Sequence, residues 1–129
     1  MTTITRRADI EPYITLDASE IRELMHPGPH GNVNQSLAEA TVPPGARTHL
    51  HRHRVTEEIY HVTAGTGWMV HGATGFRVSA GDSIVIPPGT PHCVHNDGAS
   101  DLVILCACSP AYSHDDTELL DPDASTGVA

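Results

Sequence analysis

The chain has 129 residues, enough for one hydrophobic core and too few for two independent domains. Seven Arg and no Lys stand against 16 acidic residues, so the formal net charge is −9 and nucleic acid is an unfavourable partner. The lack of Lys also excludes Schiff-base chemistry, and no apolar run approaches the ~20 residues that span a bilayer. We therefore expect a soluble, cytoplasmic, single-domain protein with no membrane or nucleic-acid partner.

The first predicted element is a short helix in an N-terminal extension, residues 1–31. Asp17 with Glu20 three positions later is typical of a capping box, and Pro27 marks the predicted end of the helix. Three apolar residues follow the box at helical spacing: Ile21, Leu24 and Met25. We expect this helix to lie outside the main fold.

From residue 32 to residue 109 the sequence pattern changes to short segments in which apolar and polar residues alternate. Turns rich in Gly and Pro separate these segments. This rhythm predicts an antiparallel sandwich or barrel. The run from Leu102 to Cys108 is apolar enough for a central strand, in which Cys106 and Cys108 are buried thiols or have a redox or substrate-anchoring role. Residues 110–129 are rich in acidic and small side chains, and this composition predicts a flexible C-terminal tail.

A cluster of alternating histidines carries the first chemical signal. In a strand, His49, His51 and His53 would point to the same face, an arrangement suited to a metal ion. In the next predicted strand, Glu58 and Tyr60 share a face, so Glu58 joins the cluster if that face is inward. The alternative is an exposed polar strand with incidental affinity for metals.

A second segment, residues 81–96, favours the metal site. A strand ends in the tight turn Pro87-Pro88-Gly89, and His92 opens the strand that follows. The turn therefore fixes the direction in which the His92 side chain points. Val94 and Asn96 share its face, and Cys93 faces away, so we do not predict Cys93 as a ligand.

These two segments resemble the paired motifs of the cupins, G-x5-H-x-H-x4-E-x6-G and G-x5-P-x-G-x2-H-x3-N. The first motif is complete at Gly45, His51, His53, Glu58 and Gly65. The second is complete at Gly81, Pro87, Gly89, His92 and Asn96. The resemblance covers residues 45–96, and the N-terminal extension and the tail lie outside it.

The resemblance implies an all-β fold, a double-stranded β-helix or jelly-roll barrel, here with a short N-terminal helical segment. It also implies one divalent transition metal, Fe, Mn, Ni, Cu or Zn, held inside the barrel mouth by His51, His53, Glu58 and His92. The resemblance to small cupins further implies that the chain forms a homodimer. The chemistry of the residues agrees, because three imidazoles and one carboxylate leave open coordination positions on an octahedral ion.

Three other side chains are candidates for the pocket. His49 either lines it, as a proton shuttle or a support for a ligand, or lies at the barrel rim. Tyr60 is either a hydrogen-bond donor in the pocket or a core aromatic. Arg47 either pairs with a substrate carboxylate or is a surface charge. The remaining histidines are predicted on the surface: His26, His30, His61, His71, His95 and His114.

These observations predict a metal-binding cupin that acts as a mononuclear metal enzyme on a small organic molecule. Two mechanisms fit: activation of O2 in a dioxygenase, or Lewis-acid catalysis in an isomerase or lyase. The alternative is a non-catalytic cupin that binds or senses a small ligand. Sugar-phosphate isomerisation is disfavoured because no phosphate-binding feature accompanies the scattered Arg residues.

Overall fold

The computed structural model describes residues 2–121, in which strands are the main secondary structure. There are two short helical pieces, a 3-10 turn at Arg7–Asp9 and helix α1 at Pro27–His30. The strands follow in chain order: β1 Tyr13–Ile14, β2 Glu20–Met25, β3 Ser36–Val42, β4 His51–His53, β5 Glu57–Ala64, β6 Thr66–His71, β7 Thr74–Ser79, β8 Ser83–Ile86, β9 His92–His95, β10 Leu102–Ser109 and β11 Thr117–Leu119. In this part of the chain no helix has the length and apolar character needed to cross a membrane.

The strands form two antiparallel sheets whose inner faces make the walls of a barrel. The first sheet has the order β1-β2-β3-β10-β5-β8, and the second has the order β11-β4-β9-β6-β7. Strands distant in sequence are neighbours in both sheets, as a jelly roll requires. The predicted all-β double-stranded β-helix is confirmed.

Period-two alternation builds the core between the sheets. In β10, the predicted central strand, alternate side chains from Leu102 to Cys108 are buried, and β10 lies between β3 and β5. In β5, Glu58, Tyr60 and Val62 are buried and Glu57 is exposed, so the face that Glu58 and Tyr60 share is the inward one. The inward faces meet in one hydrophobic cluster that includes Val62, Met69, Ile86, Leu102 and Ile104.

The helix predicted after Asp17 is wrong, because Glu20–Met25 forms strand β2, which pairs antiparallel with β3. Burial of β2 on the sheet outweighs a weak local preference for one short helix. The short helical segment lies instead at Pro27–His30, where the sequence predicted a helix end. There the His26 side chain accepts the N–H of Gly28, and Gly31 closes the turn with a left-handed φ of 81°.

Both segments outside the motifs take part in the sheets. β1 and β2, within the predicted extension 1–31, continue the six-stranded sheet, and β11, within the predicted tail, pairs with β4. The prediction of a flexible tail after residue 109 is therefore wrong for β11, because this strand pairs with β4, which carries His51 and His53. Residues 122–129 lie outside the described residues, and the domain boundaries stay a prediction.

Candidate metal centre

Three buried histidines meet where β4 lies beside β9. His51 and His92 are cross-strand partners, and their ring centroids are 4.2 Å apart. His53, two residues further along β4, points the same way, and its ring centroid is 5.2 Å from that of His51. One ring nitrogen from each histidine lies within 4.8 Å of the others, so these three residues could hold a metal ion.

Backbone carbonyls fix the tautomers of two of these rings. The Nδ1 atoms of His51 and His92 are 2.8 Å and 2.9 Å from the carbonyl oxygens of His49 and Thr90, respectively. A carbonyl oxygen only accepts hydrogen bonds, so each Nδ1 carries the proton. In the neutral ring, Nε2 then presents its lone pair, which is the form that binds a metal.

The tautomer of His53 is fixed by a side chain of β11 instead of a backbone carbonyl. The Nδ1 of His53 lies 3.0 Å from the Oγ1 of Thr117, and that hydroxyl donates to the carbonyl of Ser113 at 2.9 Å. Because the hydroxyl proton is already used, Thr117 accepts from the N–H of His53. All three Nε2 atoms therefore act as acceptors.

Glu58 brings a carboxylate from the opposite sheet against two of these acceptors. Its Oε1 lies 3.2 Å from Nε2 of His53 and 3.4 Å from Nε2 of His92. Its Oε2 accepts a hydrogen bond from the thiol of Cys108 at 3.4 Å. Within residues 2–121, Oε1 of Glu58 and Nε2 of His92 are buried without a hydrogen-bond partner. Buried acceptors that face each other without a donor are costly unless a cation lies between them.

The ionisation states also suit a cation. Burial would raise the pKa of Glu58, but hydrogen bonds donated by protonated His53 and His92 outweigh it and lower the pKa to about 2. With neutral rings, a cation between these groups would stabilise the carboxylate in the same way. Burial lowers the pKa of His51 to about 4, against the opposing effect of Asp17. At neutral pH the cluster thus holds a carboxylate and a neutral imidazole at these positions, as metal ligation requires. The donor set of imidazoles and one carboxylate fits a divalent transition metal.

A cavity of about 40 Å³, measured as the space open to the centre of a water molecule, lies beside the cluster. Part of its wall is apolar, from Ala38, Ala40 and Ile104. Tyr60 lines it too, so the predicted inward position is confirmed, and burial and the nearby Glu58 raise the pKa of its hydroxyl. The cavity therefore places room for a few water-sized groups next to the histidines.

Two candidates from the sequence take other positions. His49 is buried but does not line the cavity, and its Nδ1 lies 3.8 Å from an Asp121 carboxylate oxygen. The alternation that placed His49 beside His51 fails because β4 begins only at His51. Arg47 forms an ion pair with Asp121 at 2.9 Å and does not line the cavity, which agrees with the surface-charge alternative.

The cysteines follow the sequence prediction. Cys106 and Cys108 are buried and line the cavity, and burial, followed by the nearby Glu58, raises the pKa of both thiols. They are therefore protonated at neutral pH. Cys93 is half-buried and is not part of the cavity wall. None of the six other histidines predicted on the surface is buried: His26, His30, His61, His71, His95 and His114.

Two residues at the site were missed by the sequence reasoning. Thr117 supports His53 from a segment predicted as a flexible tail. Asp17 lines the cavity, and its Oδ2 lies 3.5 Å from Nε2 of His51. The available signal for Asp17 was its place before Ser19, a common turn pattern, which was interpreted as the start of a helix.

Comparison with known proteins agrees with this geometry. Residues 38–108 match the family model of the cupin domain. An uncharacterized protein of Methanocaldococcus jannaschii is 53% identical over 112 residues, which cover 87% of this chain and 90% of that protein. The polyketide cyclase RemF from Streptomyces resistomycificus has a similar structure, with a TM-score of 0.81, 23% identity, and coverage of 96% of this chain and 90% of the other. A "predicted oxalate decarboxylase" from Thermotoga maritima is also similar, with a TM-score of 0.73 and 25% identity. The match covers 83% of this chain and 98% of the other.

Proposed function

The chain belongs to the cupin family, and on that premise we propose that it is a metal-dependent enzyme that acts on a small organic molecule. One observation carries the proposal: acceptor atoms of three histidines and Glu58 converge, without a donor among them, beside an open cavity. A structural metal site has all its positions filled by protein and needs no such cavity. The similarity to the Thermotoga protein, a predicted oxalate decarboxylase, supports a small organic substrate.

The proposed ligands of the ion are His51, His53, Glu58 and His92, and the candidate ions are Fe, Mn, Ni, Cu and Zn. When bound, such an ion supplies Lewis acidity toward an oxygen-containing ligand, or a redox centre for O2. The chain holds the ligands in place through the Nδ1 hydrogen bonds of the imidazoles and the thiol of Cys108.

The cavity wall supplies the remaining functions. Tyr60 keeps its proton because burial raises its pKa, so its hydroxyl can donate a hydrogen bond to a substrate oxygen. The apolar side chains of Ala38, Ala40 and Ile104 limit water around a bound molecule. The small volume favours a molecule of metabolite size over a macromolecule.

Between the two reaction classes, the wall favours isomerase or lyase chemistry. These reactions need proton donors and acceptors near the substrate, and the wall holds Tyr60 and Glu23. Burial raises the pKa of Glu23, which brings this carboxyl closer to the range useful for proton transfer. A dioxygenase is the second candidate, because imidazole and carboxylate ligands also suit Fe(II).

The test is turnover by protein loaded with each candidate metal, with and without O2, against small hydroxy acids, diketones, thiols and phenols. Metal-dependent turnover without O2 supports the isomerase or lyase, and turnover that needs O2 supports the dioxygenase. A molecule that binds tightly and leaves unchanged supports the alternative, a non-catalytic binding or sensor protein. His51→Ala, loaded in parallel, is the control for metal dependence.

We also propose a homodimer formed through the outer face of the six-stranded sheet. Leu37, Ala107, Ile59 and Val85 lie in one row across β3, β10, β5 and β8, and all four are exposed. An apolar row on a sheet face is a common basis for association between copies of a chain. The cytoplasmic location stays a prediction.

A further inference from the structure

The turn between β1 and β2 carries a carboxylate into the cavity from outside the matched cupin region. The N–H of Thr15 donates to the carbonyl of Ser19 at 3.1 Å, and the N–H of Ala18 donates to the carbonyl of Thr15 at 3.0 Å. Ala18 has a φ of 75°, a left-handed conformation that side chains other than Gly rarely adopt. The N–H of His49 donates to the carbonyl of Asp17 at 2.7 Å, which fastens the turn to the barrel next to the histidine strand.

The two oxygens of Asp17 have different surroundings. Oδ1 accepts both the N–H and the hydroxyl of Ser19, at 3.0 Å and 2.6 Å. These bonds orient the carboxylate so that Oδ2 points to the metal cluster, 3.5 Å from Nε2 of His51. The Asp17 side chain is only 13% exposed.

The contact between Asp17 and His51 joins two acceptors. Nδ1 of His51 carries the proton for the carbonyl of His49, so Nε2 of the neutral ring faces Oδ2 with its lone pair. Glu58 stands in the same relationship to His53 and His92, at 3.2 Å and 3.4 Å. The ligand nitrogens of the three histidines lie within 4.8 Å of one another, so a cation held among them would also be near Oδ2 of Asp17, which is 3.5 Å from Nε2 of His51.

We propose that Asp17 is a fifth protein ligand of the metal ion, through Oδ2. This inference rests on the proposed metal site and adds a carboxylate that the two sequence motifs do not contain. With five protein ligands, an octahedral ion keeps one open position instead of two. With one open position, the site favours a ligand that binds through one atom, and two carboxylates balance the charge of a divalent ion.

The experiment loads the wild type and Asp17→Asn with Mn²⁺ and measures affinity by chelator competition and bound water by water-proton relaxation. Asn preserves the acceptor for Ser19, so the turn is retained, and circular dichroism checks the fold. Loss of residues that only support ligands costs about 10–100-fold in affinity, so we expect at least about 100-fold for a ligand. The relaxation should show one bound water in the wild type and two in the variant.

Glu23→Gln is the matched control, because it removes the same charge from the cavity wall without touching a histidine of the cluster. It should retain the wild-type water count and most of the affinity. Equal water counts in the wild type and Asp17→Asn would overturn the assignment of Asp17 as a ligand. Absence of Mn²⁺ binding by the wild type, with the other candidate ions also rejected, would instead overturn the proposed metal site itself.

Discussion

Cys108 and Glu58 are cross-strand partners on β10 and β5, and the thiol of Cys108 donates to Oε2 of Glu58 at 3.4 Å. The other oxygen, Oε1, faces His53 and His92. A buried thiol thus fixes the rotation of the carboxylate. Burial and Glu58 keep the pKa of the thiol above its ordinary value, so the donor proton is retained.

The first prediction concerns this thiol. Cys108→Ala removes the donor and leaves a buried carboxylate oxygen unpaired, which should lower the free energy of unfolding by about 1–3 kcal/mol. It should also weaken metal binding, whereas Cys108→Ser keeps a donor and should restore much of the affinity. Urea unfolding and chelator competition measure the two effects. Cys106→Ala is the control, because its thiol bonds to the carbonyl of Ile104 and not to Glu58; equal loss of affinity in both alanine variants would refute the role of Cys108.

A second prediction tests the support of His53 by the C-terminal strand. Thr117→Val keeps the shape of the side chain but removes the acceptor for Nδ1 of His53. The loss should reduce metal affinity about 10-fold or more, because the ring loses its fixed orientation and tautomer. Thr63→Val, at an exposed hydroxyl that bonds to the carbonyl of Val103, serves as the control in the same titration. If both variants bind the metal alike, β11 has no part in the site.

The contribution of sequence can be judged from particular residues. The resemblance to the two cupin motifs implied His51, His53, Glu58 and His92 as the ligands, whereas strand alternation alone also left His49 in the cluster. Ile21, Leu24 and Met25 misled, because helical spacing over six residues does not distinguish a helix from a strand paired with β3. Asp17 and Thr117 reach the site through pairings with distant segments, and no local pattern encodes which segments pair. The outcome for His49 depended on where β4 begins, and strand boundaries are weakly specified by sequence.

A third prediction concerns pH. Partial burial would raise the pKa of Asp116, but hydrogen bonds from the N–H groups of Thr56 and Val55 outweigh it, so the pKa is lowered overall. A carboxyl with a lower pKa in the folded state stabilises the protein above its unfolded-state pKa, and this effect is lost as the pH falls through the folded-state pKa. Asp116→Asn should therefore destabilise the protein at pH 7, with a difference from the wild type that shrinks on acidification.

Urea unfolding of the metal-free wild type and of Asp116→Asn, from neutral pH into the acid range, measures this difference. The neighbouring exposed residue provides a control, because Asp115→Asn leaves the hydrogen bonds to Val55 and Thr56 intact. A difference between the wild type and Asp116→Asn that stays constant over the whole range would contradict the assigned cause.

A fourth prediction tests the proposed dimer. Ile59 is 44% exposed in the middle of the apolar row, so Ile59→Asp should place a charge in the interface and separate the copies. Light scattering during gel filtration should give about twice 13.8 kDa for the wild type and 13.8 kDa for the variant. Val33→Asp changes a more exposed apolar residue outside the row and should leave the dimer intact. A monomeric wild type would refute the proposal.

The proposed function requires that His51, His53, Glu58 and His92 bind one metal ion. The most direct test is metal content by plasma mass spectrometry, on protein purified without a His-tag or chelator, for the wild type, His51→Ala and Glu58→Gln. His95→Ala, which removes an exposed imidazole, is the matched control. We predict about one equivalent of a transition metal in the wild type and the control, with loss in both site variants. No metal in the wild type, or metal retained in both site variants, would contradict the account.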